Sequence, residues 1–149
     1  MHRGEFLARR GDLPGACAAF EQVLAKDARN VVALNNLAWL LSSNPATAEK
    51  ALELVSRATR ESGMTGELLD TRARVQITLK QFDKSERDLA DAISYDPTPL
   101  RWFHVALLRL GQEKPAEAAK SFAEAQRRGL EARGVHQTDA ATFAKLGAK

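Results

Sequence analysis

The sequence predicts an all-α fold built from stacked helix pairs, and three observations carry that prediction. A pattern of small, large and small residues at helical spacing recurs four times with a period near 34 residues. Cap-forming and helix-breaking residues stand between the copies. Strand-like alternation of apolar and polar residues is nearly absent.

In the pattern, a small residue precedes a large apolar one by four positions, and a small apolar one follows three later. The copies are Ala16, Phe20 and Val23; Ala51, Val55 and Ala58; Ser85, Leu89 and Ala92; and Ala118, Phe122 and Ala125. Their first members are 35, 34 and 33 residues apart. A second set, Gly4, Ala38, Ala73 and Ala106, runs ahead of the first with steps of 34, 35 and 33 residues. Offsets of four and seven put each trio on one face of a helix. Each unit therefore carries two amphipathic helices. The small residue lets two backbones approach, and the large one fills the gap beside it. A pair that cannot bury its face alone must stack on the next.

Punctuation sets the elements in order. A first helix is predicted over 2–10 and a second over 13–27, with Asp12 as its cap and Pro14 in its first turn. A third covers 30–43. Asn44-Pro45 opens a fourth over 46–62, and Gly63 ends it. Thr65 caps a fifth over 66–80, and a sixth covers 83–95. Asp96-Pro97 and Thr98-Pro99 break the chain before a seventh over 99–110, which Gly111 ends. Pro115 starts an eighth over 115–128, and Gly129 ends it. A ninth lies near 138–146. The units are thus a partial first repeat, 1–30, then 31–65, 66–98 and 99–130, with 131–149 as a C-terminal cap or tail. Val135, Phe143 and Leu146 are expected to pack on the last unit, with Lys145 and Lys149 outside.

Composition narrows the classes. At 149 residues, 44% hydrophobic, with a net charge of +3, the chain suits one globular domain. No apolar run approaches a membrane span, and the start lacks the apolar stretch of a signal peptide. Cys17 stands alone, so no disulfide framework exists and the cytoplasm is the expected compartment. His2, His104 and His136 with one cysteine form no familiar metal-ligand spacing, and no cofactor is expected.

The repeated register resembles the tetratricopeptide repeat (TPR) family, whose helix-turn-helix unit of about 34 residues keeps small residues at three fixed places. Trp102, Ala106, Ala118, Ala125 and Pro97 match the family's aromatic, small and proline positions. The resemblance covers residues 1–130 or so, giving about three and a half repeats. The stretch Leu34–Leu41 is similar to repeats common in bacterial members. Departures exist: Ala28 and Gly63 stand where proline is usual, Gln76 and Arg109 where a large apolar residue is usual, and Ser85 where alanine is usual.

What the resemblance implies is a right-handed superhelix (an alpha-solenoid) that acts as a non-catalytic protein-binding scaffold. The first helix of each pair lines a concave groove. Carried over residue by residue, that groove holds Asn35, Asn36, Trp39 and Ser43 from one unit, Asp70, Thr71 and Arg74 from the next, and Phe103 and His104 from the last. Asparagine, threonine and histidine can bond a peptide backbone in either sense, and the aromatics suit interface anchors. Asp70 and Arg74, four apart, can also pair with each other. Some members clamp a C-terminal carboxylate with lysines, asparagines and arginine. Here Met1, Glu5, Asn36, Glu67 and Thr71 occupy those places; one match in five argues against that clamp.

Other classes are weaker. No phosphate-loop, dinucleotide or zinc-protease motif is present, so no enzymatic activity is expected. A nucleic-acid-binding repeat is permitted by a pI of 9.2, yet a net charge of +3 is a thin electrostatic footprint. The main alternative is self-assembly. The partial first repeat is expected to leave an apolar face, Phe6, Leu7, Leu13 and Phe20, open to a second chain.

Overall fold

The computed structural model describes residues 2–148, without the side chain of His2; expectations that touch Met1, the His2 side chain or Lys149 lie outside the described residues. The described chain is helical throughout. Four helix pairs follow one another: α1 (His2–Arg9) with α2 (Leu13–Lys26), α3 (Val31–Leu41) with α4 (Ala48–Ser62), α5 (Gly66–Thr78) with α6 (Phe82–Tyr95), and α7 (Pro99–Gly111) with α8 (Pro115–Arg127). Each pair packs on the next through α2 with α3, α4 with α5 and α6 with α7. Among the first helices, α5 also touches α3 on one side and α7 on the other, so the three form one continuous inner face. Beyond α8 come two short 3-10 turns, Ala132–Gly134 and Gln137–Asp139, and a last helix α9 (Ala140–Gly147). No helix among the described residues is long and apolar enough to cross a membrane.

Caps explain most of the boundaries. Asp12 accepts the Gly15 N–H at 2.9 Å, Asn30 that of Ala33 at 3.0 Å, and Thr65 and Thr98 those of Leu68 and Arg101. Gly63 and Gly129 end α4 and α8 at φ values of +78° and +91°, a region glycine enters without strain. One expected boundary is corrected. The loop between α3 and α4 is longer than 44–45. Ser42 donates its hydroxyl back to the Trp39 carbonyl at 2.7 Å, which closes α3 early. Asn44 caps only a local turn, accepting from Ala46 N–H at 3.0 Å, so α4 starts after Thr47. Helix α7 does end at Gly111, and the turn that follows is completed at Glu113, at φ +62°. Gly111 is also small because a Cβ there would lie 2.7 Å from the Phe82 ring.

The repeated positions form the core. Ala16, Ala38, Ala51, Ala73, Ala106 and Ala118 are all fully buried, and Phe20, Val55, Leu89 and Phe122 fill the space beside them. Gly4 takes the equivalent place in α1, where a Cβ would meet the Phe20 ring at 2.8 Å. Ser85 stands in for alanine with a gain: its buried hydroxyl donates to the Ala73 carbonyl at 3.1 Å, tying α6 to α5. The other departures are less well served. Arg109 reaches outward to Glu86 at 2.7 Å, but Gln76 is buried with Oε1 lacking a hydrogen-bond partner.

The apolar N-terminal face is not as expected. Phe20 is core, and Leu7 and Leu13 pack against that same core. Phe6 alone of the four is exposed, with the Arg10 guanidinium 5.6 Å from its ring centre. The short α1 still folds back on α2 because Gly4 permits close contact, and that contact uses up the apolar residues.

Two substitutions probe this packing. Gly4→Val should lower stability by about 1–3 kcal/mol, because the Phe20 ring has nowhere to move. Gln76→Met should raise stability by about 1 kcal/mol by removing an unsatisfied amide oxygen. Urea unfolding followed by circular dichroism reads both.

Candidate functional site: the concave face and the C-terminal segment

Helix α3 presents Asn35, Asn36 and Trp39 on the inner face, each half-buried. With Glu67, Asp70 and Thr71 of α5 they line an open cleft of about 380 Å³ that continues to Asp96 and Arg101. Asn35 Oδ1 has no protein partner, nor does Ser43 Oγ just beyond the helix end. Trp39 also borders a second cleft of about 430 Å³, shared with Arg10, Gly11 and His136.

Four of the expected groove residues are buried. Phe103 is fully enclosed and turned toward α8, its ring centre 6.1 Å from that of Phe122. His104 is 1% exposed, because Asp70 holds its Nδ1 at 2.6 Å and so joins α7 to α5. Thr71 is buried beside it. Arg74 is buried too, and not by Asp70, as their spacing suggested. Its partner is Asp139, far along the chain. Arg74 Nη2 donates to Oδ1 at 2.6 Å and Nε to Oδ2 at 3.2 Å, a two-pronged pair. Thr78 Oγ1 accepts a third guanidinium proton at 2.9 Å.

That pair reveals the arrangement that periodicity could not. After Gly129 the chain leaves the array, crosses the inner face, and returns along α9. The turn Gln137–Asp139 reaches the α1–α2 connection, where a Cβ on Gly11 would stand 3.5 Å from the Gln137 amide. His136 sets its ring against Trp39, with centres 4.4 Å apart at 65°. Its Nδ1 lies 2.7 Å from Thr138 Oγ1 and accepts the Thr138 N–H at 3.3 Å. Phe143 then meets Phe122 and Phe103, with ring centres 5.3 and 6.1 Å away. Val135 and Leu146 pack on the same cluster. The segment thus does more than cover the last pair: it spans α3, α5 and α7. Sequence reasoning missed His136, Thr138 and Asp139, because they lie outside the repeat and carry no periodic signal.

Burial pushes the pKa of His136 below its usual value, and the positive Arg74 nearby pushes the same way. The Asp139 carboxylate and the Leu40 carbonyl at the end of α3 oppose them without reversing the direction. A histidine whose pKa is lowered in the docked state binds fewer protons there than when released. Its cost to docking is absent above the free value of about 6.5 and grows as pH falls below it.

No protein-family model matches the sequence, and no match to a curated protein is found. The fold does have solved counterparts. A thermophilic TPR protein of Thermus thermophilus superposes with a TM-score of 0.74 at 19% identity, over 98% of this chain and 78% of that one. MamA superposes with a TM-score of 0.64 at 16% identity, over 99% of this chain and 94% of that one. The fold is therefore the TPR-like helical solenoid.

Acidification should loosen the C-terminal segment before it unfolds the array. Between about pH 6.5 and about pH 5, Trp39 fluorescence in a Trp102→Phe chain should report release. The circular dichroism signal should hold over that range, and His136→Gln should remove the transition.

Proposed function

We propose that this protein is an interaction scaffold: it binds a peptide segment of a partner protein in its concave groove, and its task is binding rather than catalysis. One observation carries the reading. A peptide segment, the chain's own residues 131–148, already sits against the inner face through a two-pronged ion pair and two aromatic contacts. A surface that accepts such a segment has the polar and aromatic features of a peptide-binding groove. The TPR-like fold, a family of interaction modules, supports the same reading.

The part of the groove left open says what a partner meets. Asn35 and Asn36 supply amides that can donate to a peptide carbonyl and accept from a peptide N–H. Trp39 supplies a half-exposed ring at the junction of the two clefts. Glu67 and Asp96 add exposed carboxylates at the rim.

Selection of a random peptide library on the full chain tests this. Peptides recovered should bind the Asn36→Ala chain about fivefold more weakly, the effect of one lost hydrogen bond of about 1 kcal/mol. That substitution should leave thermal stability nearly unchanged. Trp39→Ala should weaken the same peptides further. Selected peptides that bind both variants as tightly as the parent chain would remove the groove as the site.

A further inference from the structure

We infer that residues 131–148 are a built-in competitor for the groove, and that the partner displacing them is an acidic, aromatic peptide segment of another protein. This rests on the groove-binding reading above. The docked segment defines the chemistry. It offers a ring to Trp39, a carboxylate to Arg74 three residues later, and a phenyl ring to the Phe103–Phe122 wall four residues after that.

Three features make it a competitor rather than a fixed part of the core. First, its attachment rests on few residues. His136 and Asp139 are buried, but no residue of α9 is, and Phe143 and Leu146 are only half so. Second, its connection is largely exposed. Gly129 adopts φ +91° with open space around it, and Glu131 to Gly134 are exposed. Third, its strongest contact is a close ion pair. Such a pair gains little net free energy over its separated, hydrated partners. Release returns both charges to water, so it leaves neither stranded.

The same pair explains why the partner must be acidic. Asp70, one turn from Arg74, is held by His104 and does not neutralise it. A peptide that covered Arg74 without a carboxylate would bury an unpaired charge, which is strongly disfavoured. A peptide with a carboxylate restores the two-pronged contact. The segment of a second copy carries the same groups, but the tethered segment sees the groove at an effective concentration near millimolar. Exchange between copies adds no contact to offset that advantage, so a different protein with a better-fitting segment is the favoured occupant.

The test uses full-length chains and a fluorescein-labelled synthetic peptide of residues 131–148, read by anisotropy. The parent chain should bind it weakly, because only its released fraction is competent. The double variant Asp139→Ala/Phe143→Ala, altered only in the segment, should bind it about tenfold more tightly. Adding Arg74→Ala, or using a peptide with Asp139→Asn, should abolish that gain. If the double variant loses its helical signal, Asp139→Asn alone should show a smaller gain in the same direction. Equal affinity for parent and loosened chains, or a gain indifferent to Arg74→Ala, overturns the inference. So does a parent chain that dimerises at micromolar concentration through its C-terminal segment, which would assign the groove to a second copy. Library peptides that bind parent and loosened chains equally would leave the groove-binding reading standing and end this one. No peptide binding by either chain would end both.

Discussion

Helix backbones in this array approach closely at residues without bulk, and the spacing of every pair follows from that. Gly4 lies under the Phe20 ring with no room for a methyl group. Ala38, Ala73 and Ala106 are buried without remainder in the later units, and so are Ala16, Ala51 and Ala118 on the facing helices. At this separation one large residue per pair fills what is left, and Phe20, Val55, Leu89 and Phe122 do so. Interiors this dense tolerate neither an added methylene nor a missing one. The small residues therefore set the spacing of the array, and the spacing brings α3, α5 and α7 into contact as one inner face.

Onto that frame the chain adds polar ties that fix the centre of the groove. Asp70 holds His104 across α5 and α7. Arg72 grips Asp88 of α6 through two bonds of 2.7 Å. Arg101 donates to the carbonyls of Ala92 and Asp96. Each of these groups finds a partner within the array, although Arg101 Nε does not, so α5 to α7 are tied to one another. Arg74 differs. Its partner comes from outside the array, on a segment with few buried contacts. In the proposed role, a well-tied floor and a lightly held cover are complementary, because an interaction surface must keep its shape while its occupant leaves.

The predicted groove and the observed one share a face but not a composition. Asn35, Asn36 and Trp39 line the open clefts. Phe103 and His104, on the same row of first helices, turned inward instead. The row was legible because its period is a property of one helix. Phe103 shares a face with the core residues Ala106 and Leu107 and packs on Phe122 and Phe143, partners that lie on other helices. The N-terminal face shows the same limit: four apolar residues looked unpartnered, yet three of them found partners within the first pair and its neighbour.

The helix count of the repeats, their pairing and most caps were legible in local sequence. These follow from contacts between residues three, four and seven apart, and from side chains that bond the backbone next to them. Where local signals competed, as at Asn44-Pro45, even nearby boundaries shifted by a few residues. The occupant of the groove was decided only by tertiary structure. Arg74 and Asp139 are 65 residues apart, and their meeting depends on the curvature of the whole array and the reach of the segment beyond Gly129. A one-dimensional pattern holds the spacing of neighbours. It does not hold the path of a chain that leaves the pattern and folds back across it.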